Sequence, residues 1–301
     1  MERQPEVAAG PGRRQRRAPR DVVRAWWQLP HPVPILVVLA ATAGFALLVT
    51  GGVAPATDLV MVLGAMLGGQ LAIGAVNEIA DADLDRVANP RKPIPAGLVS
   101  VRAAAVLAAA GLVLMVALGA RFGAASVLLL AAGTGLGLAY DLWFKRTALS
   151  WLPYALALPL LPMWVRTALA GFDPRLLLLF PLGAAATVGV HLAQALPDAV
   201  SDRAAGLDNL VSRLGERRSF ALALALTATA PALASGCALL PTGLVENPGV
   251  VIAGAIVAGV LLVAAGLAYV LDRALGVRAC FPLLASSLVV TGFAWVLGSA
   301  G

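Results

Sequence analysis

Charge is what this sequence has least of: Asp, Glu, Lys and Arg supply 13% of its 301 residues, roughly half the share of an average soluble domain. A water-facing surface cannot be built from so few, which excludes a soluble globule. Cysteine is rarer still. Cys237 and Cys280 are expected at opposite ends of different helices, so a disulfide framework is excluded and a zinc site lacks ligands; both read as packing residues. Lysine occurs only as Lys92 and Lys145, against 20 Arg. That bias points to a GC-rich bacterial genome, and so to a cell membrane. The period-two alternation of barrel strands is also missing.

Long apolar runs are what the chain does have. Hydrophobic residues make up 60% of it and mean hydropathy is +0.87. Runs of about 20 residues, enough to cross a hydrocarbon core of ~30 Å, fall near 33–53, 56–80, 103–120, 122–140, 148–168, 176–197, 219–240, 248–271 and 279–299. Backbone in lipid must satisfy its own hydrogen bonds. The expected fold is therefore all-α, a polytopic membrane protein with nine transmembrane helices. With the N-terminus cytoplasmic, the tail and four inner loops hold 19 of the 22 Lys and Arg, leaving only Arg121, Arg166 and Arg175 outside, as positive-inside topology requires. The odd count then puts the C-terminus outside. The net charge of +6 follows from topology and attraction to anionic lipid, with no nucleic acid involved.

Residues 1–28, which include EVAAGPGRRQRRAPR, read as a disordered basic cytoplasmic tail lying along the membrane. Their Arg pairs lack the apolar context and cleavage site of an export signal. Residues 29–301 read as a single transmembrane domain.

Polar residues gather in three groups, and ionisable residues at a membrane point to function by default. The first is NEIADADLDRVANPRKPIPAG (77–97). Asn77, Asp81 and Asp85, spaced i, i+4, i+8, share one helical face and drift about 80° around it. Glu78 and Asp83 fall off that face and are expected to be solvated or to support it from behind. Pro90 ends the helix, Arg91, Lys92, Pro93, Pro95 and Gly97 form a stiff loop, and Ser100 offers an N-cap to the next helix. The second group, HLAQALPDAVSDRAAG (191–206), repeats the spacing in Gln194, Asp198 and Asp202, each 117 residues after its counterpart. A constant offset predicts two four-helix halves, about 30–145 and 148–272, around a central cavity with a ninth helix added. Pro197 is expected to bend or unwind the helix beside Asp198. The third group, YDLWFKR (140–146), adds Tyr140, Asp141, Lys145 and Arg146.

Paired carboxylates beside Lys and Arg suit Mg²⁺ bridging to a phosphorylated ligand, because Mg²⁺ takes one or two carboxylates and completes its shell with phosphate oxygens and water. Asn77, Asp81, Asp85, Asp198 and Asp202 are the candidate ligands, with Gln194 and Gln70 supporting them through hydrogen bonds. Two such sets predict a diphosphate held between them and neutralised by Arg91, Lys92, Lys145, Arg146 and Arg203. A neutralised diphosphate leaves readily. With an apolar tail in the bundle, the expected ligand is an allylic isoprenyl diphosphate, ionised at the inner membrane face and shielded from water. Tyr140 and Trp143 are candidate walls for the carbocation, which an electron-rich, aromatic acceptor then attacks. For Trp143 a place in the interfacial belt is the plainer reading.

The order NEIADADLD, NPRKPIPAG, YDLWFKR, DAVSDRAAG resembles the UbiA superfamily of intramembrane prenyltransferases over about residues 30–300. The resemblance implies nine helices, a Mg²⁺ cofactor and a lateral portal to lipid for the prenyl tail. It also implies metal binding by Asn77, Asp81, Asp85, Asp198 and Asp202, with diphosphate binding and capping by the cationic loops. Two features depart from the pattern. Gln194 stands where many relatives carry Asn or Asp, and Tyr140-x4-Lys145 is one residue off the spacing of some relatives.

His191 lies about two turns from Asp198 on the same face, where it could bind an acceptor hydroxyl or take the proton from a prenylated ring. An interhelical hydrogen bond is the alternative. Gln70 reads as a structural hydrogen bond, and His31, in LPHPVP, as a helix-start residue. AGTGLGLAYD follows no strand, so it reads as close helix packing rather than a nucleotide loop. Three other functions fit less of the pattern. A cyclase of the same superfamily would act on the prenyl diphosphate alone. A transporter of an anionic amphiphile needs polar groups midway across the bilayer, whereas these sit at one interface. A CDP-alcohol phosphotransferase would carry Asp-Gly and Ala-Arg spacing, which is absent.

Overall fold

The computed structural model describes residues 19–199, 203, 206, 209–241, 243 and 245–299, and among them there is no strand. A short helix, α1 (Pro19–Gln28), precedes α2 (Pro32–Val49), α3 (Ala56–Ala88), α4 (Val101–Gly119), α5 (Gly123–Leu142), α6 (Leu152–Ala170) and α7 (Leu179–Ala195). One further short helix, α8 (Leu210–Leu214), leads to α9 (Glu216–Leu239), α10 (Pro248–Leu271) and α11 (Arg273–Ser299).

Local chemistry explains most boundaries. Ser100 caps α4 as expected, its Oγ accepting from the Ala103 N–H at 3.1 Å. Helix α3 stops at Ala88, before Asn89 and Pro90. Pro197 also acts as expected: α7 ends at Ala195 and Leu196–Asp198 tightens into a 3-10 turn, since proline supplies no N–H to an α-helix. The tail is a correction. Pro19–Gln28 is helical rather than disordered, because Ala25 and Leu29 bury themselves against Ala82, Ile94, Val99 and Ala104. Residues 1–18 lie outside the described residues.

Seven stretches of the described chain are long and apolar enough to cross a bilayer, or eight if the bent pair Pro174–Pro181 and Gly183–Ala195 is one span. One of the seven, Val101–Leu142, has 42 residues, which would be about 63 Å long if straight. It is folded back instead. A Cβ on Gly68 would stand 2.5 Å from the Gly111 carbonyl oxygen and one on Gly64 would strike Leu118, whereas Gly69 lies against Thr134 and Gly137 against Ile73. Helix α3 therefore runs antiparallel to α4 and parallel to α5. The reversal comes at Ala120–Phe122, where Gly123 takes φ +85°, a conformation glycine adopts without a steric penalty.

Two clusters form most of the interior. Phe45, Val62, Met66, Met115, Leu130 and Trp164 build one; Val190, Leu192, Phe220, Cys280 and Leu284 build the other. Both cysteines are free thiols, Cys280 inside the second cluster and Cys237 packed near Trp295, so they fill space as expected. The outer faces are apolar too, with Val106, Val113, Leu128, Val260 and Val263 all exposed. Helices apolar both inside and outside make a polytopic membrane protein.

Candidate active site

The last turns of α3 carry the first group of acids, and the drift around the helix gives each a different neighbour. Asn77 donates from Nδ2 to Asp141 Oδ1 at 2.7 Å, which is possible because α5 runs parallel beside it. One turn on, Asp81 Oδ1 forms ion pairs with Lys145 Nζ at 2.8 Å and Arg146 at 3.2 Å. Arg146 also donates to the Ala80 carbonyl at 2.8 Å. After a further turn Asp85 faces the loop, with Lys92 Nζ 2.7 Å from Oδ2 and Asn89 donating to Oδ1 at 2.9 Å. The two lysines of the sequence thus both end on this helix.

Asp141 had no role in the sequence reading. Here it is 3% exposed, its Oδ1 also lies 3.9 Å from Lys145 Nζ, and its Oδ2 has no hydrogen-bond partner among the described residues. The signal was its position, one residue after Tyr140 and four before Lys145.

Of the two expectations for Glu78, solvation or support from behind, the second holds, for it is 1% exposed. It lies one heptad from Asp85 and so within about 20° of it around the helix. Lys92 bridges the two, 3.4 Å from Glu78 Oε1, and His31 Nε2 is 3.1 Å from the same oxygen. Burial pulls the Lys92 ammonium down, but its hydrogen bond to Asp85 and the charges of Glu78, Asp85 and Asp81 outweigh that and hold it above its ordinary value. His31 takes φ +58°, uncommon for a residue with a Cβ. Its neighbour Pro30 rests on α3 at Gly74, where a Cβ would come within 2.4 Å of the proline carbonyl oxygen. His31 thus does more than start a helix: it fastens the α1–α2 turn to α3. Asp83 remains exposed, paired with Arg86 at 2.9 Å. A groove of about 630 Å³ opens beside His31, Glu78, Asn89, Arg91 and Lys92.

A second set of polar side chains surrounds Tyr140. Its ring centroid is 5.2 Å from Tyr154 and 5.8 Å from His191, which in turn lie 4.6 Å apart. Tyr154 donates to Gln194 Oε1 at 2.7 Å, and the buried His191 pairs through Nε2 with Ser150 Oγ at 3.0 Å. That hydrogen bond runs from α7 to the turn that precedes α6, so it is a structural contact but not the helix-to-helix one considered for His191. Tyr154 and Ser150 were missed by sequence reasoning, since each stands in or beside an apolar run with no partner at helical spacing. Trp143 is exposed, as a belt residue would be.

The remaining candidates are more scattered. Arg203 donates through Nε, at 3.2 Å, and through Nη2 to the Ser212 carbonyl of α8, so it braces that short helix. Arg91 is exposed on the rim of the groove. Gln70 Nε2 is 3.7 Å from Met66 Sδ, a structural contact. The Asp198 side chain and Asp202 lie outside the described residues. Among the described residues, no three His, Cys, Asp or Glu side chains gather closely enough to hold a metal ion by themselves.

The sequence profile of the UbiA prenyltransferase family matches residues 37–288. No curated protein matches the chain. Among solved structures, a UbiA homologue from Aeropyrum pernix K1 in its apo form is 24% identical with a TM-score of 0.66, the match covering 85% of this chain and 95% of that one. A UbiA homologue from Archaeoglobus fulgidus bound to GPP and Mg²⁺ is 20% identical with a TM-score of 0.66, over 92% and 100% of the two chains. A digeranylgeranylglyceryl phosphate synthase is 13% identical with a TM-score of 0.68, over 93% and 99%. At these identities the likeness establishes the fold alone.

Proposed function

Because the chain belongs to the UbiA prenyltransferase family, we propose that it transfers a prenyl group from an allylic isoprenyl diphosphate to an electron-rich, aromatic acceptor within the membrane, with Mg²⁺ as cofactor. The observation that carries this reading is the convergence of Lys145 on Asp81 and Lys92 on Asp85 along one helix end. The Archaeoglobus fulgidus homologue bound to GPP and Mg²⁺ supports the ligand class.

The donor set fits the cation. Asn77, Asp81 and Asp85 offer hard oxygen ligands, and since the Asn77 N–H is engaged by Asp141, its side-chain oxygen is left to coordinate. An incomplete protein cage suits Mg²⁺, which keeps waters and substrate phosphates in its shell. Asp198 and Asp202 would complete the site from the other half. Bound Mg²⁺ would neutralise the diphosphate oxygens and favour their departure with the C–O bonding pair. Lys145 and Arg146, already held at Asp81, are poised to turn toward that growing negative charge. The rings of Tyr140 and Tyr154 offer π faces to the prenyl cation. After the acceptor carbon attacks, the arene must lose a proton. His191 is the candidate base: Ser150 fixes its Nε2, and Nδ1 has no hydrogen-bond partner among the described residues.

The same reading takes nine crossings, the N-terminus cytoplasmic, and two four-helix halves of about 30–145 and 148–272. The fold-back of α4 on α5 supports the count. Matching close contacts support the halves: Gly68 on Gly111 joins α3 to α4, and Gly189 on Ala223 and Thr227 joins α7 to α9.

Purified protein with Mg²⁺ and an allylic diphosphate should release pyrophosphate, and Asp81→Ala should nearly abolish the release. Full activity in that variant would rule the reading out. Omitting the acceptor and analysing products by mass spectrometry separates transfer from cyclisation of the chain on itself.

A further inference from the structure

Helix α1 presents three distinct faces, generated by 100° of rotation per residue. Ala25 and Leu29 form the first, buried on Ala82 of α3, Ile94 and Val99 of the loop, and Ala104 of α4. Val23, Trp26 and Trp27 form the second, and they are 69%, 40% and 66% exposed. Arg20, Arg24 and Gln28 form the third, also exposed, with Asp21 at its edge.

The apolar exposed face lies between the face packed on the protein and the face carrying arginine. Ten residues span about 15 Å, half of what a crossing needs, so α1 does not traverse a bilayer. It sits where α3 ends and α4 begins, at the level where those apolar helices leave the membrane. Tryptophan beside arginine on an amphipathic helix is the composition of the lipid interface. The segment RRQRRA (13–18) immediately before it adds positive charge, and between residues 13 and 30 the only acid is Asp21.

We propose that α1 is an interfacial helix that docks on an anionic phospholipid surface, with Val23, Trp26 and Trp27 entering the acyl boundary and Arg20 and Arg24 meeting lipid phosphates. Charge complementarity selects this partner, because a basic face flanked by aromatics matches anionic headgroups above acyl chains. Docking has a consequence inside the protein. The inner face of α1 rests on the loop that carries Lys92, and the turn after it is tied to Glu78 by His31, so lipid attachment braces that loop. The inference concerns lipid contact and does not depend on the proposed reaction.

The test uses the full chain with Cys237→Ser and Cys280→Ala, an environment-sensitive fluorophore on Trp27→Cys, and vesicles of phosphatidylcholine with or without phosphatidylglycerol. In anionic vesicles the label should be quenched by nitroxide-bearing lipid and protected from aqueous iodide. In neutral vesicles, at high salt, or with Arg20→Glu and Arg24→Glu, lipid quenching should fall by at least half. A label open to iodide in anionic vesicles overturns the proposal, as does lipid quenching indifferent to headgroup charge. Burial of the label that disappears when the protein is diluted in the bilayer also overturns it, since the occupant is then a second copy of the chain. Trp26→Cys, labelled alone, serves if the first variant does not fold.

Discussion

Asn77 and Asp141 meet at 2.7 Å between two parallel helices, amide donating to carboxylate. The contact spends the Asn77 N–H and so decides which atom of its side chain is left for a cation. It also holds a carboxylate 3.9 Å from the Lys145 ammonium. One buried acid thereby orients two neighbours. Asp141→Ala should lower pyrophosphate release about tenfold or more, the scale of one lost hydrogen bond to a charged group at roughly 1.5–3 kcal/mol, and should raise the Mg²⁺ concentration for half-saturation. A wild-type rate together with wild-type half-saturation would remove Asp141 from the site.

Lys145 and Arg146 share Asp81, but unequally. The Lys145 side chain is 11% exposed and the Arg146 side chain 45%, so water screens the second contact more. Lys145→Ala should therefore cost about 10- to 100-fold in kcat/KM for the diphosphate, and Arg146→Ala distinctly less. Steady-state kinetics with a single allylic diphosphate decide it, and a reversed order of the two would contradict the geometry.

Lys92 is the shared counter-ion of two buried carboxylates, Glu78 and Asp85. Lys92→Ala leaves both without it and should destabilise the protein by about 3 kcal/mol, the low end for a broken buried pair because the lysine is itself 30% exposed. Adding Glu78→Gln should restore part of that loss. Both effects are read as shifts in thermal unfolding in detergent.

The same ammonium sets a pH dependence. Its pKa is held above the ordinary 10.5, so its contribution is complete below pH 10.5 and is lost as pH rises through the elevated folded value. The gap in unfolding temperature between wild type and Lys92→Ala should stay constant through neutral pH and narrow only above that point. Narrowing on the acid side of neutrality would assign the effect to another group.

Gly68 and Gly111 set the approach of α3 to α4. Gly68→Ala would put a methyl 2.5 Å from a backbone oxygen and should destabilise by about 1–3 kcal/mol, as overpacking does. Gly135→Ala, with nothing within 4 Å of the added carbon, should be neutral or slightly stabilising, because alanine is the better helix former. Unfolding temperatures of the two variants measure the difference.

Much of the site was legible in the sequence because periodicity is local. The spacing of Asn77, Asp81 and Asp85, the stop at Pro90, the cap at Ser100 and the break at Pro197 depend on residues at most eight apart. For Glu78 the choice between solvation and support from behind stayed open, for a reason also visible in the geometry. Falling off the face of Asn77 places it on the face of Asp85, and whether that azimuth meets water or the α1–α2 turn is not a local property. Tyr154 and Ser150 carried no local signal, because their partners stand 40 and 41 residues away.

Composition and periodicity alone determined that this chain is a helical membrane protein with its charge gathered at helix ends, since the bilayer permits little else to so apolar a sequence. The 117-residue repeat likewise needed no coordinates. Only the tertiary structure decided which partner each polar group received: that Asn77 spends its amide on Asp141, that Lys92 bridges Glu78 and Asp85, and that α1 folds onto the loop. Each of those pairings depends on which helix lies alongside, and in this chain that is set by small-residue contacts such as Gly68 on Gly111, which the sequence repeats in too many places to assign.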